Sequence, residues 1–82
     1  MKDTVDEKVI YNRQRNTEFS NGYVLGVAIY REYAKADKKM QATIKEVING
    51  ASENAKHGYK MDKGIMCGVR DAANERKARK GK

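Results

Sequence analysis

The sequence predicts an all-α fold, a small bundle of three to four helices, and three observations lead to this prediction. The 82 residues include no proline, so no pyrrolidine ring interrupts a helix. Side chains that cap helices precede the apolar stretches: Thr4, Thr17, Asp37 and Asp62. Apolar residues within these stretches recur at intervals of three and four, which is the helical period.

The first helix is predicted from a capping box. Thr4 and Glu7 have the Thr-x-x-Glu spacing in which each side chain binds the free backbone amide of the other residue. A helix from Val5 to about Arg15 follows from this signal. A short strand at residues 9–11 is the alternative, because Val, Ile and Tyr all favour strands.

The second helix is predicted to begin after Thr17 and to extend from Glu18 to about Ala36. Its middle is apolar on most faces, which is typical of a central, buried helix. The tyrosines of this helix are therefore expected in the core or in an interface: Tyr23, Tyr30 and Tyr33.

The third helix has the clearest amphipathic pattern. Asp37 is its predicted N-cap and the helix extends over residues 38–57. The apolar positions follow helical spacing: Met40, Ile44, Val47, Ile48, Ala51 and Ala55. His57 in the last turn and Gly58 directly after it are signals that end a helix.

A fourth helix is predicted from Lys63 to about Lys80, with Asp62 as its N-cap. Its first half is apolar on one face and its second half is almost entirely polar. The last two turns are therefore expected to fray or to project from the domain. This division predicts a single helical domain at residues 1–75 and a basic tail at residues 76–82.

Glycines four residues apart occur on both the second and the fourth helix, at Gly22 and Gly26 and again at Gly64 and Gly68. The pattern of residues 22–27 thus recurs at residues 64–69. Such a ridge without side chains allows another backbone to approach closely. The ridges are predicted to pack on each other or on their copies in a second chain; a chance repeat in a Gly- and Ala-rich sequence is the alternative.

The chain has few residues with which to build a core. Val, Ile, Leu and Phe together number 13 of 82, a fraction below roughly 20%, where high net charge begins to favour disorder. Self-association or a partner is expected to complete so thin a core. No signal-peptide or membrane-span pattern is visible, and a single cysteine fits a reducing compartment, so the expected location is the cytoplasm.

Catalysis has little support in the sequence, and the protein is predicted not to be an enzyme. His57 is the only histidine and suits a helix C-terminus, while Cys67 is interpreted as a small core residue. Metal-binding spacings such as Cys-x-x-Cys are absent, so no cofactor and no metal are expected. Asp71 and Glu75 are more readily explained as partners of helical ion pairs than as metal ligands.

Charge is distributed unevenly along the chain. The net charge is +7, and residues 51–82 contribute nine bases and four acids, hence five of the seven net charges. Residues 76–82 carry five cations and no acid. A surface with one basic end is typical of proteins that bind a polyanion or an acidic protein.

The sequence predicts a nucleic-acid site on the fourth helix and the turn before it. Exposed tyrosines beside Arg and Lys can stack on unpaired bases, which slightly favours RNA over duplex DNA. The predicted binding residues are Lys56, Tyr59, Lys60, Lys63, Arg70, Arg76, Lys77, Arg79 and Lys80. Tyr11, near Arg13 and Arg15, is a further candidate for stacking.

The glycine segments, Gly22-Tyr23-x-x-Gly26 and Gly64-x-x-x-Gly68, resemble a helix pattern of small accessory proteins of T4-like tailed phages. The small size, the lysine content and the lack of proline and tryptophan are also similar to early proteins of these phages. In sequence, the resemblance covers the glycine segments and their near neighbours, less than a third of the chain. It implies a stoichiometric inhibitor of a host nuclease, polymerase or defence system, acting in the host cytoplasm.

Two hypotheses follow. The leading one is a small basic helical protein that binds nucleic acid, RNA favoured, and that antagonises a host defence nuclease or ribonuclease toxin. The alternative is a non-catalytic inhibitor or interaction module that docks through its glycine ridges and binds no nucleic acid. The predicted partners are thus RNA or another polyanion, or a host protein, within a homo-oligomer or a heterocomplex and without a membrane.

Overall fold

A computed structural model describes residues 4–80, with side chains described through Arg79. This part of the chain forms four helices and contains no strand: α1 (Val5–Arg15), α2 (Glu18–Lys35), α3 (Lys38–Lys56) and α4 (Lys60–Lys80). The all-α prediction is confirmed. The alternative of a strand at residues 9–11 is wrong, because the capping box holds this segment in α1.

The first three helices begin where their capping side chains predicted. Thr4 and Glu7 form both hydrogen bonds of the capping box, at 3.1 and 3.0 Å. Thr17 Oγ1 accepts a hydrogen bond from the Ser20 amide at 3.1 Å, and Asp37 accepts one from the Met40 amide at 2.9 Å. Each cap satisfies an amide that has no partner within the helix.

α4 begins three residues earlier than predicted. The Lys63 amide already donates to the Tyr59 carbonyl at 3.0 Å, so Asp62 lies within the first turn instead of capping it. An acid in the first turn also stabilises a helix, because the helix N-terminus carries partial positive charge. The helix then continues to Lys80 without a break between residues 75 and 76, so the described part of the predicted tail is helical.

The link between α1 and α2 and the link between α3 and α4 each contain a residue with a positive φ angle. Asn16, between α1 and α2, has φ 50°, and Gly58, between α3 and α4, has φ 94°. Within residues 4–80 these are the only two positive φ angles, and they occupy equivalent positions ahead of the two glycine segments. The chain is therefore two consecutive helical hairpins with equivalent turns.

α2 and α4 run parallel and cross at the four glycines, all of which are buried. A Cβ atom added at Gly22 would overlap the Met61 carbonyl oxygen, and one added at Gly64 would overlap that of Phe19. Gly26 and Gly68 repeat this pattern against the carbonyl groups of Ile65 and Tyr23. Each contact made by one glycine segment has its counterpart in the other, so the crossing has approximate two-fold symmetry.

The outer helices flank this crossed pair and do not contact each other within the described residues. α1 inserts Val5 beside Tyr23, Val27 and Ala72, and Cys67 packs against the same cluster as expected of a core residue. α3 packs mainly on α4. The result is a slab of 34 × 32 × 17 Å with a small core.

The apolar stripe of α3 is only partly covered. Ala51 is its single buried residue, whereas Met40 and Val47 are more than half exposed. Val47 and Ile44 line an apolar groove of about 320 Å³ against α2. We call this feature the α2–α3 groove. Among residues 4–80, no helix combines the length and the hydropathy needed to cross a membrane.

Candidate nucleic-acid interface

Most of the predicted binding residues fall into two groups at opposite ends of α4. Lys56, Tyr59 and Lys60 lie around its N-terminus, whereas Arg76, Lys77 and Arg79 lie in its last turns. From Lys60 to Arg79 the helix axis covers about 28 Å, since each residue advances an α-helix by 1.5 Å. The nine predicted residues therefore do not form one compact patch.

The group at the N-terminus of α4 is exposed. Tyr59 is 61% exposed and its ring is available for stacking. Lys56 forms an ion pair with Glu53 at 3.4 Å, but both side chains are largely exposed to solvent. The second candidate for stacking, Tyr11, is also more than half exposed and contacts Arg15, whose guanidinium donates to the Tyr11 hydroxyl at 2.8 Å and lies 5.6 Å from the ring centre.

Lys63 and Arg70 lie between the two groups on the exposed side of α4. Arg70 is partly neutralised, because its guanidinium contacts Asp71 at 3.4 Å. The same carboxylate accepts a hydrogen bond from the Tyr23 hydroxyl at 2.8 Å and contacts Lys8 at 3.5 Å. Asp71 thus joins α1, α2 and α4 through polar contacts.

The environment of this carboxylate shifts two pKa values. Burial acts to raise the pKa of Asp71, but the hydrogen bond from Tyr23 and the charges of Lys8 and Arg70 outweigh it and hold the pKa below its usual value. Burial and the adjacent carboxylate raise the pKa of Tyr23 well above its usual value. The Tyr23 hydroxyl therefore stays protonated and continues to donate to Asp71.

The group at the C-terminal end of α4 faces α2 across a groove. Beyond the glycine crossing, the two helices line a volume of about 500 Å³. We call this feature the cationic groove. Its lining residues are Tyr30, Arg31, Ala34 and Lys35 of α2 and Ala72, Glu75, Arg76 and Arg79 of α4.

The cationic groove contains four cations and one carboxylate. Glu75 contacts Arg31 at 3.5 Å and Arg79 at 3.9 Å, and Arg31 also binds Asp6 at 2.8 Å. Lys35 and Arg76 have no carboxylate within 4.0 Å among the side chains that the structure describes. These two cations line the groove without a counter-charge.

Arg31 and Lys35 were missed by the sequence-based prediction, which took cations only from α4 and the turn before it. Their contribution depends on the parallel crossing, which brings the last turns of α2 beside those of α4. The internal repeat was the available signal, because Lys35 and Lys77 occupy equivalent positions in the two segments.

A second groove adjoins the first. It has a volume of about 340 Å³ and is lined by Tyr30, Ala73, Asn74, Arg76 and Lys77. Tyr30 and Arg76 line both grooves, and the Tyr30 ring is supported by Tyr33, whose ring centre is 5.7 Å away. The backbone of Lys80 ends the described part of α4, and its side chain lies outside the described residues, as do residues 81 and 82.

The glycine ridges are in contact within the chain. Gly22, Gly26, Gly64 and Gly68 are buried between α2 and α4, so a partner would have to separate these helices to reach them. The predicted role of these residues in helix packing corresponds to this observed contact. A role in binding a second chain has no exposed ridge to act through.

The described residues offer no arrangement typical of a metal centre, because no three His, Cys, Asp or Glu side chains cluster among them. His57 is exposed at the C-cap of α3, where its amide donates to the Asn54 carbonyl at 3.0 Å. Comparison of the chain with protein-family models, with curated proteins and with solved structures finds no match. The resemblance to phage early proteins therefore stays a prediction.

Proposed function

We propose that this protein binds a polyanion, with RNA favoured, through the basic C-terminal part of α4 and the end of α2 beside it. The observation that carries the proposal is the excess of cations around the cationic groove, where Lys35 and Arg76 have no carboxylate partner among the described side chains. Lys77 adds a further exposed cation next to this groove. Phosphate oxygens are the natural ligands of such a surface.

Binding of this kind depends on salt. Each phosphate that is neutralised releases a condensed cation, so log K falls with log salt by roughly 0.7 per phosphate on a single strand. Three cations of this surface have no carboxylate partner among the described side chains: Lys35, Arg76 and Lys77. The affinity is therefore expected to decline steeply as the salt concentration rises. Tyr30, which lines the groove beside these cations, favours unpaired bases as the partners because aromatic rings stack on them.

The test is fluorescence anisotropy of labelled single-stranded RNA, duplex RNA and duplex DNA across a salt series. One variant replaces Arg76, Lys77 and Arg79 with Gln, and the matched control replaces three exposed lysines of α3 with Gln: Lys38, Lys39 and Lys45. Both variants lose three positive charges. We expect the α4 variant to lose at least tenfold in affinity and to show a shallower salt dependence, with a much smaller loss in the control.

Equal losses in the two variants would contradict a localised site and would indicate attraction by net charge alone. A chain that ends at Glu75 provides a second comparison, since it lacks the whole basic segment. Binding of this truncated chain with full affinity would also contradict the proposal.

A second candidate function is a protein-interaction module, and the exposed α2–α3 groove favours it. Leu25, Ile44 and Val47 present an apolar surface there that the fold leaves uncovered. The net charge of +7 opposes a second copy and favours an acidic protein as the occupant. Two results together would favour this candidate over the first. The protein would not bind RNA near physiological salt, and Val47→Glu would abolish its binding to an acidic partner protein.

Antagonism of a host nuclease is a further part of the proposal, and it is supported only by the resemblance to phage proteins. If RNA binding and this antagonism are one activity, the triple Gln variant of α4 will lose both. A variant that no longer binds RNA but still protects cells from a ribonuclease toxin would separate the two.

A further inference from the structure

The cationic groove is concave, and its shape restricts what can enter it. Its volume of about 500 Å³ is comparable to that of sites that enclose small organic ligands, roughly 300–1,000 Å³. A nucleotide within a duplex is paired and stacked, so its base cannot enter such a groove. An unpaired nucleotide can enter, because its base is free to turn away from the strand.

The two kinds of lining suit the two parts of a nucleotide. Tyr30, Ala34 and Ala72 supply an aromatic ring and an apolar wall, against which a base can pack. Lys35 and Arg76 supply cations that lack a counter-charge among the described side chains. The adjoining groove, which shares Tyr30 and Arg76 with the first, offers the strand a path beyond the bound nucleotide.

The local electrostatics favour an anion despite the nearby C-terminus of α2. That helix end contributes about half a negative elementary charge. The four cations and the single carboxylate that line the groove carry a net charge of +3, and Asp6, which binds Arg31 at 2.8 Å, lowers the local sum to +2. The positive charge therefore exceeds the partial negative charge of the helix end. The two cations without a carboxylate partner among the described side chains lie on different helices, Lys35 on α2 and Arg76 on α4.

We infer that the cationic groove binds one unpaired nucleotide of a single-stranded nucleic acid, with its phosphate held by Lys35 of α2 and Arg76 of α4. This inference rests on the proposed function. It adds the position at which the ligand binds and the requirement that the ligand be single-stranded. It assigns a binding role to Lys35, which lies on α2 and was not among the binding residues predicted from the sequence.

The experiment compares Lys35→Gln with Lys45→Gln in binding a short single-stranded RNA and a blunt duplex of the same sequence. Both lysines are exposed and both variants lose one positive charge, but only Lys35 lines the groove. We expect Lys35→Gln to lower the affinity for the single strand roughly tenfold, as loss of a charged hydrogen bond does. Lys45→Gln is expected to lower it less than about threefold, and both variants should bind the duplex equally.

A second pair of variants tests the groove by gain of affinity. Glu75→Gln removes the carboxylate of the lining and releases Arg79, whereas Glu53→Gln releases Lys56 far from the groove. We expect Glu75→Gln to tighten binding of the single strand several-fold and to steepen its salt dependence. Glu53→Gln should produce a smaller change.

The outcomes separate the inference from the proposed function. RNA binding that is lost in the triple α4 variant but is equally sensitive to Lys35→Gln and Lys45→Gln would overturn the groove and leave the proposed function standing. A duplex that competes as well as the single strand would also overturn the groove. No RNA binding by the unaltered protein would overturn both.

Discussion

Glycine serves opposite purposes at two kinds of position in these helices. At the crossing, Gly68 lies against the backbone of Tyr23 and Val27, and a Cβ atom there would overlap the Tyr23 carbonyl oxygen. At Gly50 in α3, a Cβ atom would meet nothing within 4 Å. The crossing therefore needs glycine for close approach, whereas Gly50 only lowers the helical propensity of α3.

This difference predicts opposite effects of the same substitution. Gly68→Ala forces two backbones apart and is expected to lower the free energy of unfolding by about 2 kcal/mol or more, as overpacking does. Gly50→Ala is expected to raise it by about 1 kcal/mol. Urea denaturation followed by circular dichroism measures both values, and equal effects would contradict the observed crossing.

The contact between Tyr23 and Asp71 predicts how stability depends on pH. The pKa of Asp71 is lowered by folding, so its contribution is present above about pH 4 and is lost as the pH falls through the folded value. The pKa of Tyr23 is raised by folding, so its contribution is present below pH 10 and is lost as the pH rises above that. Stability should therefore decline at both ends of the range.

Tyr23→Phe removes the hydrogen bond and tests this dependence. At neutral pH it should lower the free energy of unfolding by about 1–2 kcal/mol, and the declines at acid and alkaline pH should both become shallower. Tyr33→Phe is the control, because the Tyr33 hydroxyl has no hydrogen-bond partner among the described residues. A Tyr23→Phe protein whose pH profile matches that of the unaltered protein would refute the role of this contact.

At the scale of the helices, the four elements differ in how much of their surface is buried. α2 contains five buried residues around its crossing with α4, whereas α1 and α3 bury one residue each. The N-terminal half of α3 has its apolar side chains, Met40 and Val47, largely in solvent. Helices with so few buried contacts open at low cost.

Native-state hydrogen exchange should reveal this order. Amides of α2 and α4 near the crossing are expected to exchange only on global unfolding, and those of α1 and of the first half of α3 at lower free energy. Gly26→Ala should weaken the crossing and so reduce the difference in exchange free energy between these two groups of amides. Protection of α3 equal to that of α2 would contradict this hierarchy.

The helix bounds were largely predictable because caps are local signals. Thr4, Thr17 and Asp37 each needed only the next three residues to be recognised. The start of α4 was not predictable in this way, since Tyr59 is no standard capping residue and Asp62 gives a similar signal from inside the first turn. Local patterns therefore identified all four helices but misplaced the start of α4 by three residues and the ends of α2 and α3 by one.

The candidate site was less predictable than the helices, because it depends on how two distant helices meet. The sequence supplied Arg76, Lys77 and Arg79, but Arg31 and Lys35 join them only through a parallel crossing. The glycine repeat left open whether the ridges pack within one chain or between two. No local pattern decides this question.

For the whole molecule, the predicted homo-oligomer and the predicted heterocomplex can be separated by mass. The glycine ridges are occupied within the chain, and a net charge of +7 opposes self-association. We expect light scattering at physiological salt to give the mass of one chain, 9.3 kDa. A stable dimer would instead support the homo-oligomer and would identify the α2–α3 groove as its first candidate interface.

The parallel crossing also governs how fast the chain can fold. Neighbouring helices in most small bundles are joined by short turns, so their contacts form early and folding is rapid. Here the principal contact joins two glycine segments that lie about half the chain apart, with the whole of α3 between them in sequence. Bringing the ends of so long a segment together costs conformational entropy before the close packing of the glycine segments can compensate for it. We therefore expect the meeting of the two hairpins to limit the rate of folding, and the protein to fold more slowly than its helical content suggests.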